Sequence, residues 1–480
     1  MRRVPRTSTP PFPVRATMRG SPELSIRQMA SALRAGKTTS ELLTRSALGR
    51  IRAMDIDIHA FTNLDASGAM EAARSADMAR AESADLPLLH GIAVAIKDVY
   101  DVAGLPTTCQ SWLSLDYVPE EDSTPVRRLR DAGAVILGKL ATHEFAIGAP
   151  SPDLPFPAAR NPWDLAHIPG GSSSGSGAAI AAGFTRLALG TCTGGSILIP
   201  AAWCGAVGLK PTYGRVSKHG VFPLAWTLDH CGPLSRSVED AAIALQVLAG
   251  HDPLDPASST EPVDDYCTGL EQGVKGLTIG VPQDHFQSSP QASPTFLSAF
   301  DRTAALLAEA GARPIHVSLP HSQQFLAAGR VILSAEMFTI HAQDLRSRPL
   351  DYGELTAARL LLGATVSSED YLNALRVRRM LAARVDAALD RCDVLLTAIT
   401  LDTAPRFDPM PHFRHWPVQT HAFNVTGHPA ISVPVGLSPQ GLPLAVQVVG
   451  RYFDEARILQ VARAIERLTG WENQLLPDGT

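Results

Sequence analysis

The sequence predicts an α/β protein whose large mixed, mostly parallel central sheet is covered by helices on both faces. Apolar runs of strand length alternate with helical segments along most of the chain, which is typical of this architecture. The 480 residues are 45% hydrophobic, so one sizeable core can form. We therefore predict a single domain over residues 21–480, with a peripheral helical region over about residues 255–400.

Residues 1–20 differ in composition from the rest of the chain. They are rich in proline and arginine, contain no acidic residue, and lack the apolar segment of a secretory signal. We predict a disordered basic arm here, with an organelle transit segment as the alternative.

Charge and cysteine content argue against several classes of protein. The formal net charge of −5 provides no basic face for nucleic acid or for an acidic membrane surface. No apolar run approaches the roughly 20 residues that span a bilayer. Six cysteines at irregular spacings predict neither a disulfide framework nor a zinc site. We expect a cytoplasmic protein that needs no metal or other cofactor and binds neither nucleic acid nor a membrane.

The first elements are mainly helical. Residues 25–54 predict two amphipathic helices, the second opened by a capping box from Thr38 to Glu41. A short strand is predicted over residues 60–64, and a helix follows over residues 66–84.

A lysine ends the next strand. The run from Gly91 to Lys97 is apolar until its last residue, which is typical of a buried strand. Burial lowers the pKa of a lysine towards the range in which it can act as a base. The alternative is that Lys97 extends from the strand end into water.

A helix over residues 125–132 leads into a strand over residues 134–138. Gly133 to Lys139 almost spells a phosphate-binding loop. Leu140 stands where that loop needs a Ser or Thr to hold magnesium, so we reject a phosphate site.

The stretch from Gly170 to Pro200 organises the chain. It contains two glycine turns that carry serines, joined by a short helix and a strand. Ser196 ends the second turn where a helix is predicted to begin, and free N–H groups at such a position favour negative charge. Acyl transfer needs a serine in this setting, because an oxyanion forms as the nucleophile attacks.

The first glycine turn also allows a different nucleophile. Gly171 to Gly175 fits the Gly-x-Ser-x-Gly elbow of α/β-hydrolases, which would make Ser173 the nucleophile with a downstream histidine such as His421 or His428. That scheme leaves the second turn without a function, whereas a lysine-based scheme uses both turns.

The remaining elements follow the same alternation. Helices are predicted over residues 294–312, 326–341 and 369–390, strands over 430–435 and 444–449, and a final helix over 454–469.

Taken together, these motifs resemble the amidase signature family of serine hydrolases, over about residues 25–475. The matching blocks occur in one order along the chain: Gly91–Asp98, Gly104–Thr108, Asn161–Asp164, Pro169–Gly177, Gly190–Pro200, Gly208–Thr212, Asp229–His230, Asn424–Gly436, Gly441–Pro443 and Gln447–Gly450.

The resemblance implies a set of roles. Ser196 would be the nucleophile, Ser172 a bridging serine that follows a cis peptide bond, and Lys97 a neutral base. The backbone N–H groups of Thr193, Gly194, Gly195 and Ser196 would form the oxyanion hole, and Ser173 would support the site through hydrogen bonds.

The chain departs from the family at three positions. Most members carry an aspartate and an arginine where this sequence has Cys192 and Leu198, which suggests an ion pair replaced by an apolar pair. Gln110 replaces a usual glycine or alanine and is predicted to reach the site. The missing arginine argues against acidic substrates.

The acyl pocket can also be placed by resemblance. The segment from His143 to Gly148 should wall it, with Phe145 and Ile147 making it apolar; the alternative is that both are plain core residues. Asp229 and His230 are predicted to be structural.

We therefore predict an amidase that hydrolyses a small, neutral, apolar or aromatic carboxamide, with a homodimer as one possibility. The alternatives are a carbamate or ester hydrolase of the same family, the A-type subunit of a tRNA-dependent amidotransferase, and a scaffold without activity.

Overall fold

The computed structural model describes residues 24–83, 85–287, 289–408 and 419–474. The predicted basic arm lies outside the described residues. Within them the chain forms helices and strands in alternation, as predicted.

The strands are β1 Phe61–Leu64, β2 Ala93–Lys97, β3 Val135–Leu140, β4 Leu187–Cys192, β5 Val207–Lys210, β6 His230–Ser235, β7 Thr278–Val281, β8 Arg313–His316, β9 Val394–Ala398, β10 Ala430–Leu437 and β11 Pro443–Val449. The helices are α1 Ile26–Arg34, α2 Ser40–Ile58, α3 Ala66–Glu82, α4 Thr124–Asp131, α5 Ser174–Ala181, α6 Leu198–Cys204, α7 Val238–Leu248, α8 Pro294–Glu309, α9 Ser322–Ser347, α10 Glu354–Gly363, α11 Ser368–Leu389, α12 His421–Thr426 and α13 Glu455–Leu468.

All strands in the described part of the chain join one mixed sheet. Their order is β1-β3-β2-β4-β6-β5-β10-β11-β9-β7-β8. The pairs β2/β3, β2/β4, β7/β8 and β7/β9 are parallel. The other pairs are antiparallel, so the sheet is mixed as expected but less parallel than the sequence suggested.

Both faces of the sheet are covered, because strand residues alternate between two cores. Val94 and Ile96 of β2 belong to one hydrophobic core, which includes residues of α7 and α13. Ala95 between them belongs to the other core, which includes residues of α5 and α6. This alternation is the period-two pattern of a strand buried on both sides.

The region over residues 255–400 is less peripheral and less helical than predicted. Strands β7, β8 and β9 lie in it and complete one end of the sheet. Its long helix α9 packs against α10, α11 and α12. By length and composition alone α9 could cross a membrane, so the expectation that no apolar run has this length is wrong by that criterion; 44% of its most apolar 18-residue stretch is buried in this fold.

The start of α2 differs by one residue from the prediction. Thr39 rather than Thr38 caps the helix, and its side chain accepts a hydrogen bond from the N–H of Leu42. Glu41 forms ion pairs with Arg45 and Arg74 instead of closing a capping box.

Candidate active site

Lys97 ends strand β2 in a fully buried position. Its Nζ atom lies 2.8 Å from Ser172 Oγ and 2.8 Å from Thr191 Oγ1. Burial lowers the pKa of Lys97 from 10.5 to about 7. A large fraction of this side chain is therefore a neutral amine at neutral pH, which is the form that can accept a proton.

Ser172 lies in the loop that leads into α5. The peptide bond between Gly171 and Ser172 is cis, as the family resemblance implied, and the serine is 2% exposed. The N–H of Ser173 donates to the carbonyl of Ser196 over 3.2 Å, so the two serine-bearing loops are joined directly. This contact brings together residues that are 23 positions apart in the sequence.

Ser173 faces the sheet and not the cavity described below. Its Oγ lies 3.3 Å from both the carbonyl and the N–H of Thr191, and the residue is fully buried. A hydroxyl in this setting supports strand β4 next to the site, whereas the prediction was support of the site through hydrogen bonds. The elbow scheme lacks an accessible nucleophile.

Ser196 is half-buried on the wall of a cavity of about 640 Å³, just before helix α6. Ser172 lies on the same wall. Within the described residues no hydrogen bond joins the two hydroxyls. Catalytic hydrogen bonds often close only when substrate binds, so this geometry is compatible with proton transfer between them.

The loop before Ser196 is held in a conformation in which its backbone N–H groups donate no hydrogen bond to the described residues. Among described residues, none accepts a hydrogen bond from the N–H of Gly194, Gly195 or Ser196. Thr193 Oγ1 donates to Asp229 Oδ1 over 2.6 Å, and Asp229 also accepts from two backbone amides. The structural role predicted for Asp229 therefore includes holding this loop, whose free donors could stabilise an oxyanion.

Two helices line the same cavity as the serines. One face of α9 and one face of α10 contribute most of the remaining surface, which is largely apolar. Each face also carries an arginine, Arg330 on α9 and Arg359 on α10. The lining residues on these two helices are Leu326, Arg330, Leu333, Ser334, Met337, Leu355, Ala358, Arg359 and Leu362.

Only one of the five predicted substrate-binding residues lines this cavity. Ile147 does so, with its neighbours Ala146 and Gly148. Phe145 is 2% exposed and packs against three rings of the core, those of Phe222, His341 and Tyr352. It therefore follows the alternative of a plain core residue.

Gln110, Cys192 and Leu198 also lie outside the lining. Gln110 Oε1 accepts the N–H of Thr142 over 2.9 Å, which fixes the segment behind the cavity wall. Cys192 and Leu198 are both fully buried, and Cys192 Sγ donates to Asn424 Oδ1 over 3.3 Å. These residues contribute packing at the base of the nucleophile loop.

Sequence reasoning missed four polar residues at the site. Thr191 lies inside the nucleophile-loop motif, but no signal in the sequence indicates that its hydroxyl contacts Lys97. Arg330 and Arg359 lie in helices without any motif. His421 was noticed only as a partner for Ser173, whereas the structure places it on the cavity wall beside Gly194.

Comparisons with known proteins identify the family of this chain. A family model described as Amidase matches residues 42–459. The A-type subunit of glutamyl-tRNA(Gln) amidotransferase from Moorella thermoacetica is 39% identical over 94% of this chain and 98% of its own length.

Two solved structures show the same fold. One comes from a vestigial protein complex that reveals the origins of an s-triazine catabolic enzyme; it has a TM-score of 0.88 and 34% identity, over 93% of this chain and 99% of its own. The other is the peptide amidase from Stenotrophomonas maltophilia, with a TM-score of 0.80 and 31% identity, over 96% of this chain and 98% of its own.

Proposed function

Because this chain belongs to the amidase signature family, we propose that it cleaves a carboxamide C–N bond through an acyl-enzyme on Ser196. The observation that carries the proposal is the contact between the buried amine of Lys97 and the hydroxyl of Ser172. The loop that contains Ser172 is in turn hydrogen-bonded to the loop that contains Ser196. A depressed lysine pKa beside a hydroxyl is the arrangement of a general base and the group that it deprotonates.

The reaction balances without a cofactor. Ser196 Oγ forms a bond to the carbonyl carbon while its proton passes to Ser172, whose own proton passes to neutral Lys97. The free amides of the 194–196 loop stabilise the oxyanion, each donor contributing about 3–4 kcal/mol in comparable enzymes. The C–N bond then breaks as the proton returns through Ser172 to the leaving nitrogen. Water cleaves the ester, releasing the acid.

A second candidate function is that of one component of a multi-subunit amidotransferase. The relatives named as the A-type component of glutamyl-tRNA(Gln) amidotransferase match almost the whole chain, and they support this alternative better than a free-standing amidase. In that role the same serine would release nitrogen from an amide donor, and a partner protein would be needed to use it. Carbamate or ester hydrolysis remains a third possibility with the same nucleophile.

Covalent labelling tests the proposal. The protein is treated with a fluorophosphonate and its intact mass is measured, alongside the Ser196→Ala and Ser173→Ala variants. We expect one adduct on the wild type and on Ser173→Ala, and none on Ser196→Ala. An adduct that persists in Ser196→Ala would contradict the assignment of the nucleophile.

Turnover separates the two candidate functions. Release of ammonia from simple amides by the isolated chain supports an independent amidase. Labelling at Ser196 without turnover of any simple amide supports a chain that acts only with a partner.

A further inference from the structure

We propose that Arg330 and His421 together bind a carboxylate of the substrate that Ser196 attacks. The enzyme would then act on monoamides of short dicarboxylic acids. This inference rests on the proposed amide chemistry and specifies its substrate class, which the sequence had suggested to be neutral.

The charge of the cavity points to an anion. Two guanidinium groups, those of Arg330 and Arg359, lie among the lining residues, and none of the described lining residues is Asp or Glu. The two arginines are close enough that Arg330 adds to the effect of burial in lowering the pKa of Arg359. Arg359 bears the cost of burial, whereas Arg330 is exposed, and an anionic ligand between the two guanidinium groups relieves their repulsion.

Arg330 is the arginine available to such a ligand. It lies on the cavity face of α9, and within the described part of the chain it forms no hydrogen bond or ion pair. Arg359 is held against the opposite wall, where its Nη1 atom would lie 1.5 Å from a Cβ atom on Gly148. Arg359 therefore adds positive potential, and Arg330 can adjust to a bound group.

His421 is fixed beside Arg330 by a slot between two glycines. A Cβ atom on Gly194 would lie 2.6 Å from Cε1 of the ring, and a Cβ atom on Gly329 would lie 3.8 Å from Nδ1. The preceding residue anchors the start of α12, because Thr420 Oγ1 donates to the carbonyl of Gly194 over 2.7 Å. The imidazole is thus placed against the oxyanion loop in a defined orientation.

The ring nitrogens of His421 are available for a ligand. In the described residues neither nitrogen forms a hydrogen bond. Burial, followed by the charge of Arg330, lowers the pKa of His421 to about 4, so the ring is neutral at pH 7 and has one N–H donor. A guanidinium and a neutral N–H next to each other provide the donors that a carboxylate accepts.

The position of this pair limits the length of the substrate. His421 adjoins Gly194, whose amide belongs to the loop proposed to hold the carbonyl oxygen. A carboxylate bound there lies only a short distance from the reacting carbonyl. Succinamate and glutaramate meet this requirement, and long-chain or bulky aromatic acyl groups do not use the two donors.

Binding to a catalytically inactive variant tests the inference independently of turnover. Titration calorimetry on Ser196→Ala measures Kd for succinamate and for butyramide, in which a methyl group replaces the carboxylate. We expect succinamate to bind at least about tenfold more tightly, because a charge-assisted hydrogen bond is stronger than a neutral one. Adding Arg330→Met should abolish this preference, and adding Arg330→Lys should restore part of it.

Two further variants complete the design. His421→Phe keeps a ring in the slot but removes the N–H, and it should reduce the preference by about threefold to tenfold. Arg376→Met removes an exposed arginine of α11 outside the cavity and should leave the preference unchanged. Equal Kd values for the two amides, or a preference that survives Arg330→Met, would overturn the inference. A failure of Ser196 labelling in the wild type would instead overturn the proposed amide chemistry.

Discussion

The Nζ atom of Lys97 lies as close to Thr191 Oγ1 as it does to Ser172 Oγ, at 2.8 Å in each case. A neutral amine has two N–H donors and one lone pair. If one N–H donates to Thr191, the lone pair can accept the proton of Ser172. Thr191 therefore orients the proposed base as well as filling space beside it.

Replacing Thr191 by valine should lower kcat/KM on the pH-independent plateau by about fivefold to tenfold. The change keeps the shape of the side chain but removes a hydrogen bond whose net worth is about 1 kcal/mol. Thr191→Ser, which keeps the hydroxyl, is the control. Equal rates for the two variants would show that the hydroxyl has no orienting role.

The pH dependence of the reaction should follow the pKa of Lys97. Because the base must be unprotonated, we expect kcat/KM to fall tenfold per pH unit below about pH 7 and to level above it. Between about pH 7 and pH 10.5 the unfolded chain binds a proton that the folded chain does not, so this lysine makes stability rise with pH. Lys97→Met should remove activity and this part of the stability slope. A flat rate profile, with chemistry limiting, would contradict the assignment.

Cys192 offers a test of how the nucleophile loop tunes that base. Its side chain is fully buried at the end of β4, which pairs with the strand that ends at Lys97. A carboxylate at this position would favour the protonated lysine, so Cys192→Asp should move the acidic limb of the rate profile upward by about one pH unit. Cys192→Ser, which adds no charge, should leave the limb in place. Rate profiles on one amide substrate decide the point, and unchanged limbs in both variants would argue against the coupling.

Glu144 connects the cavity wall to the helix that covers it. Its carboxylate accepts from Ser111 Oγ over 2.6 Å and from the N–H of Gly353, the N-cap of α10, over 3.0 Å. Glu144→Ala leaves two buried donors unsatisfied and should lower the free energy of unfolding by about 1–3 kcal/mol. It should also raise KM, because α10 carries Arg359 and Leu362 over the cavity. Glu144→Gln retains an acceptor, so its free energy of unfolding, measured with denaturant, should fall less than that of Glu144→Ala. Equal decreases for the two variants would count against this account.

The parts of the fold that sequence reasoning could place are those with local signals. Periodicity located most strands and helices to within a few residues, and the order of the glycine motifs identified the family. The direction of strand pairing was harder to predict from the sequence, because pairs such as the antiparallel β4/β6 join segments that are not adjacent in the chain. No local pattern states which distant strand becomes a neighbour.

The same limit applies to the pocket. Lys97 and Ser172 stand in recognisable motifs, and the structure places them in contact. The expectation of a neutral substrate depended on Leu198, where relatives have an arginine. The structure supplies positive charge from Arg330 on α9, whose position over the site depends on tertiary packing alone. This chain thus lacks the positive charge that relatives have at position 198, but it has a positive charge at Arg330.

The slot around His421 also constrains how this protein can diverge. Gly194 and Gly329 face the imidazole from two elements that are 135 residues apart. A Cβ atom on Gly194 would lie 2.6 Å from the ring, whereas one on Gly329 would clear the ring at 3.8 Å but lie 2.7 Å from Val425 Cγ2. Across relatives, residue 194 should therefore change together with residue 421, and residue 329 together with residue 425. Homologues with a bulky residue at position 329 should have a smaller one at position 425. Those with a bulky residue at position 194 should lack a ring at position 421, and their substrates should differ accordingly.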